Sequence, residues 1–124
     1  VVITGLGAIG LAAIMAAKIA GCKSVVGIDR VESRLKLAIE LGATAVINTS
    51  DVDMDVGAEV KKLLNGGPSI AIDATGHLAL IKQAYQFTGR RGKLVVVGAP
   101  GQDAKLEVPL GELMGVSTLL QCSV

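Results

Sequence analysis

"VVITGLGAIGLAA", Val1 to Ala13, sets β-branched residues directly against three glycines and then runs into alanines. The fold turns on that junction. Val1–Thr4 reads as a short buried strand, and Ala8–Ala20 as the helix that follows. Between them stand Gly5-Leu6-Gly7-Ala8-Ile9-Gly10, a full GxGxxG. Alone, the spacing is a weak signal; with a strand running in and a helix running out, it has the setting of a phosphate-binding turn. There Gly5 permits the sharp turn, Gly7 lets the backbone meet a pyrophosphate with no Cβ between, and Gly10 lets the helix lie close on the strand. Ala8 completes the loop as a candidate cofactor contact. The helix start adds unpaired N–H groups and the positive end of the helix dipole. Ala12, Ala13, Ala16 and Ala17 suit a helix pressed tightly on a sheet.

Downstream the pattern alternates. Strands are expected at Ser24–Ile28, Ala45–Ile47, Ile70–Ile72, Leu94–Val97 and Leu119–Val124, and helices at Glu32–Leu41, Val56–Leu64, Leu78–Phe87 and Leu110–Met114. Gly42 is placed to cap the second helix and "NGGP" (65–68) to stop the third. Strands separated by helices of about ten residues mean right-handed βαβ units in a parallel sheet. Counting the opening one gives six strands. That is an α/β, doubly wound Rossmann fold, with helices on both faces of a six-stranded parallel sheet. No repeat or linker divides residues 1–124, which read as one domain. No Met precedes Val1, so the expectation is a segment of a longer polypeptide.

A second acid test falls at the end of the next strand. Asp29 closes "SVVGID" 19 residues beyond Gly10, close to the ~20 expected of a carboxylate that takes the adenosine ribose hydroxyls. A 2′-phosphate there would meet like charge, which favours NAD over NADP. Arg30 follows at once and Arg34 one helical turn on; either could neutralise a 2′-phosphate, so NADP stays open. Asp29 could also serve simply to start a helix, and Arg34 to lie on a solvated face.

Composition narrows the alternatives. The apolar share of 51% and mean hydropathy of +0.60 suit strands covered on both faces, and no apolar run reaches the ~18 residues of a membrane span. A net charge of +1 with mixed signs, and 2% aromatic residues, leave neither a basic stripe nor stacking platforms for nucleic acid. Cys22 and Cys122 lack metal-ligand spacing and are expected to be buried free thiols of a reducing, cytoplasmic protein.

"VVITGLGAIGLAAIMAAKIAG", "GIDRVESRLKLAIELGATAVIN", "AIDATGHLALIKQA" and "GKLVVVGAP" follow in that order. Together they resemble the cofactor-binding domain of the zinc-type medium-chain alcohol dehydrogenases, nearest the aryl- or benzyl-alcohol branch, over essentially the whole chain. The resemblance implies roles for residues. Ile9 would pack on the nicotinamide face, and Arg34 would reach the adenosine ribose. Thr75, Gly76 and His77 would lie beside the adenine, His77 standing where a stacking arginine is common, although it also fits as a polar residue opening a helix. Val97, Gly98 and Ala99 would bind the carboxamide end of nicotinamide, with Leu120–Cys122 as a second contact, where Cys122 replaces an expected glycine. The resemblance also implies a homodimer joined through an edge such as Val116–Leu120, and a small alcohol or aldehyde substrate. Zinc would be held in a catalytic domain absent from this segment, so these residues would carry no catalytic or metal-ligating group of their own.

Other dehydrogenase classes fit less well. The TGxxxGxG and YxxxK of short-chain dehydrogenases fail, because Ile9 stands where glycine is needed and Gly89 falls four places after Tyr85. A zinc-independent quinone or enoyl reductase using NADPH shares this cofactor domain, but its loop more often carries an Ala-rich variant of the glycines, and Asp29 speaks against it without excluding it. A non-enzymatic NAD(H)-sensing module remains open, and a methyltransferase is disfavoured by the third glycine and the complete second half.

Overall fold

Each apolar run becomes a strand and each run between them a helix, in the computed structural model, which describes residues 1–123. Val124, the last residue of the final expected strand, lies outside them. In chain order the elements are β1 (Val2–Thr4), α1 (Ala8–Ile19), β2 (Val26–Asp29), α2 (Glu32–Leu41), β3 (Ala45–Asn48) and α3 (Val56–Leu63). There follow β4 (Ile70–Asp73), α4 (Leu78–Phe87), β5 (Lys93–Val96), α5 (Leu110–Val116) and β6 (Leu119–Cys122). All pairings are parallel, in the order β3-β2-β1-β4-β5-β6. The expected doubly wound six-stranded sheet is therefore present.

Strand parity builds two cores. Val2, Val26, Ile28, Ile47, Ala71, Leu94 and Val96 point to the face covered by α3 and α4, where Val56, Val60, Ile81, Ala84 and Phe87 meet them. Ile3, Val25 and Ile72 point the other way, onto Ile14 and Ala17 of α1 and Leu35 and Ala38 of α2. Ile3, Leu6 and Ile14 are wholly buried there, each contributing about 2 kcal/mol by removal from water. Because both faces are covered, the central strands read as unbroken apolar runs rather than alternating ones.

The ends of elements differ from expectation by a residue or two, for visible reasons. β2 and β4 each run one residue further than expected, into Asp29 and Asp73, because those positions still pair with Asn48 and with Val96. β5 starts and stops a residue early, since Lys93 pairs with Ile70 and the Val97 N–H turns to the Asp73 carbonyl at 2.8 Å. α5 continues to Val116 and ends at Ser117, in the left-handed region at φ 52°. The thiols also need correction. Cys22 is half-buried, and Cys122 is exposed, because β6 is the sheet edge and all four of its residues face outward. No helix among the described residues is long and apolar enough to cross a membrane.

Candidate cofactor-binding site

The chain finishes β3 at one edge and returns to the middle of the sheet to begin β4 beside β1. The loops after β1 and β4 therefore leave toward opposite faces, and a crevice opens above the carboxyl ends of the strands, where ligands of such sheets bind. A cavity of about 320 Å³ lies there, lined by Thr4, Gly5, Gly7, Asp29, Arg34 and Thr75 among others. It adjoins a second of about 580 Å³ that shares Arg30, Thr49, Thr75 and Leu80 and reaches Val52 and His77. An equally large groove between α3 and α4 contains none of the residues singled out by sequence.

The three glycines are required for different reasons. Gly5 turns the chain at φ +85°, and any Cβ on it would lie 2.5 Å from Thr75 Cγ2. Gly10 packs so closely that a Cβ would overlap the Gly5 carbonyl oxygen. Gly7 differs from both: its φ of −76° suits any residue, and a Cβ there would meet nothing within 4 Å. No protein atom explains glycine at this position, which heads α1 with no side-chain cap. The open space in front of the helix N-terminus matches the group the motif would hold, a pyrophosphate approaching unpaired N–H donors. Ala8 and Ile9 form the first turn of α1; Ile9 is exposed, and neither residue lines the two cavities.

Leu6 and Asp29 add a feature that the motif alone hides. The Leu6 side chain is fully buried and lies over Gly27 of β2, where a Cβ would approach its methyls at 3.1 and 3.3 Å. Its N–H donates to Asp29 Oδ2 at 2.7 Å, while the N–H groups of Arg30 and Val31 donate to Oδ1 at 2.7 and 2.9 Å. Burial by itself would push the Asp29 pKa up. The N–H donors of Leu6, Val31 and Arg30, with the Arg34 guanidinium beside it, outweigh that and hold the carboxyl below its ordinary range. Arg34 Nη1 stands 3.6 Å from Asp29 Oδ2 with half of its side chain exposed, so the pair is weak. Arg30 is exposed on the cavity wall. Asp29 thus locks the glycine loop to the end of β2 and still lines the cavity. The one large apolar residue between the first two glycines was the available signal for Leu6.

Across the crevice, Asp73 at the end of β4 is completely buried and was not singled out by sequence. It accepts from Thr75 Oγ1 at 2.7 Å and from Gly76 N–H at 2.8 Å. Thr75 and His77 are exposed above it; His77 opens α4 without capping it through its side chain. Val97, Gly98 and Ala99 follow β5, with Gly98 so close to Gly76 that a Cβ on either would strike the other's loop. They touch the Thr75–Gly76 turn but line neither of the two cavities above the strand ends. Leu120–Cys122 sit on the edge strand β6, two strands removed from β4. Among the described residues, no three His, Cys, Asp or Glu side chains lie grouped to hold a metal ion.

Comparison with known proteins accords with this geometry. Residues 8–122 match the family model described as zinc-binding dehydrogenase. Benzyl alcohol dehydrogenase from Acinetobacter calcoaceticus superposes with a TM-score of 0.92 at 37% identity, over 99% of this chain and 33% of that one. A protein described as a zinc-binding dehydrogenase from Sinorhizobium meliloti, solved bound to NADP, gives 0.92 at 27% identity, over 98% and 36%. Alcohol dehydrogenase 1 of Oryza sativa subsp. indica is 36% identical over 108 residues, 86% of this chain and 28% of that protein. The chain therefore spans about a third of the length of the proteins it matches.

Proposed function

The chain belongs to the zinc-binding dehydrogenases, as their cofactor-binding domain, and on that premise we propose that its crevice binds NAD(H) for oxidation of a small primary alcohol. The observation that carries this reading is the empty space over Gly7, in front of the α1 N-terminus, with the Asp29 carboxylate at the adjoining strand end. The pyrophosphate would lie against the N–H groups of Gly7, Ala8 and Ile9. The adenosine ribose would reach Asp29, with Arg30 and Arg34 beside it and the adenine toward Thr75 and His77. The nicotinamide would lie toward Ile9 and Val97–Ala99. When bound, NAD accepts hydride from the alcohol carbon. The residues of this chain orient it and shield its pyrophosphate charge.

Zinc, as the Lewis acid for the alkoxide, is assigned to the part of the relatives that this chain does not span. On this reading the 124 residues alone bind cofactor and turn nothing over, and the intact protein is a cytoplasmic homodimer. Its seam would be β6, an edge strand with Leu119 and Leu120 exposed, flanked by exposed Leu110 and Met114. An aromatic alcohol is the first substrate to try, given the likeness to benzyl alcohol dehydrogenase.

A second reading has its own support. Arg30 and Arg34 both line the ribose end of the cavity, and one similar structure holds NADP. Paired titrations of the full-length protein with NADH and NADPH, followed by nucleotide fluorescence, separate the two. Tighter NADH binding supports the NAD assignment. Tighter NADPH binding overturns it and favours a zinc-independent reductase.

A further inference from the structure

The peptide unit joining Asp73 to Ala74 is shared by three loops. Its carbonyl accepts from Val97 N–H at 2.8 Å and Gly98 N–H at 3.1 Å, and its N–H donates to the Thr4 carbonyl at 2.9 Å. One peptide plane thereby ties the end of β1 to the start of the segment after β5. The side chain of the same residue grips the turn above. Asp73 Oδ1 accepts from Thr75 Oγ1, Oδ2 accepts from Gly76 N–H, and Thr75 Oγ1 in turn accepts from His77 N–H at 3.0 Å. Asp73 is 0% exposed, and among the described residues no Lys or Arg forms an ion pair with it. A buried carboxyl needs hydrogen-bond partners, and both oxygens of Asp73 find them in the Thr75–Gly76 turn.

What they hold is a spacer. Thr75 Cγ2 lies 2.5 Å from where a Cβ on Gly5 would stand, and a Cβ on Gly76 would lie 2.5 Å from the Ala99 carbonyl oxygen. A Cβ on Gly98 would overlap the Gly76 backbone. The Thr75–Gly76 turn is therefore stacked backbone on backbone against Gly98–Ala99, and it meets the glycine loop through the Thr75 methyl and backbone. Any shift of the middle layer moves the outer two relative to each other.

We propose that Asp73 is a positioning residue for the nicotinamide end of the cofactor. Its buried carboxylate fixes Thr75–Gly76 as the layer that sets the height of Val97–Ala99 over the glycine loop. This rests on the crevice being an NAD site, and it goes further by dividing the site into two halves that respond separately.

The test compares NADH with ADP-ribose, which lacks only the nicotinamide, on the full-length protein. Thr75→Val removes the hydroxyl that Asp73 Oδ1 accepts from and keeps the side-chain shape. It is expected to lower the affinity for NADH relative to ADP-ribose by about tenfold, the effect of one charge-assisted hydrogen bond. Thr75→Ser, which keeps the hydroxyl and loses only the methyl toward Gly5, stays closer to the wild-type ratio than Thr75→Val. Asp73→Ala shifts the ratio the same way if it folds; Thr75→Val, which leaves Asp73 in place, decides the matter if it does not. Equal weakening of both ligands, or no change in either, overturns the positioning role and leaves the NAD site standing. Wild-type protein that binds neither ligand overturns the site and the positioning role together.

Discussion

Replacing Asp29 with alanine tests whether the carboxylate at the end of β2 is a ligand group, a structural lock or both. The Leu6 N–H is buried, and among the described residues its acceptor is Asp29 Oδ2 alone, at 2.7 Å. Leaving such a donor unmade costs about 1–3 kcal/mol. The Arg30 and Val31 N–H groups are only partly buried and can turn to water, and the half-exposed Arg34 pair adds about 0–1 kcal/mol. The sum is about 1–4 kcal/mol of folding stability, or a fall in Tm on the order of 10 °C for a domain of this size.

The sign with pH follows from the lowered pKa of Asp29. Its contribution is whole above the unfolded value of about 3.9 and is lost as pH falls through the lower folded value. The gap in urea midpoint between wild type and Asp29→Ala, followed by circular dichroism, should thus be full at pH 7 and should close below about pH 4. A variant as stable as wild type at pH 7 would refute the lock. Reduced NADH affinity would then report on the ribose alone. With the lock present, affinity must be compared at temperatures where both proteins are folded.

Gly7 and Gly10 should behave in opposite ways. Gly7→Ser places a good N-cap residue where nothing is crowded, so Tm holds or rises slightly while NADH affinity drops more than about tenfold, since the new side chain fills the pyrophosphate space. Unimpaired NADH binding by this variant would sink the pyrophosphate assignment. Gly10→Ala puts a methyl onto the Gly5 carbonyl and should lower stability by about 3 kcal/mol, read as a loss of urea midpoint without any ligand. Leu120→Lys, on an exposed edge position, should turn the proposed dimer into monomer in sedimentation velocity with little change in Tm; an unchanged sedimentation coefficient would move the seam elsewhere.

The element pattern was legible because its causes are local. Covered strands need consecutive apolar residues, helices need their stops, and α2 and α4 fall where the sequence predicts, at Glu32–Leu41 and Leu78–Phe87. The glycine spacing and the acid 19 residues on also lie in the chain as written, as distances along it. What stayed hidden depends on neighbours far apart in sequence. Nothing local marks Leu6 before β2 presents Gly27 beneath it, and Asp73, one residue past the strand expected at Ile70–Ile72, gains its role only where Val97 and Gly98 close over its carbonyl. The thiol of Cys122 was misjudged for the same reason, because composition cannot tell which strand will be the edge. The alternation of strands and helices and the candidate cradle follow from periodicity and from backbone conformations that each segment carries alone. Which glycine is free to meet a ligand and which carboxylates hold loops emerges in the folded chain, because contact and burial exist only once β1, β2, β4 and β5 stand side by side.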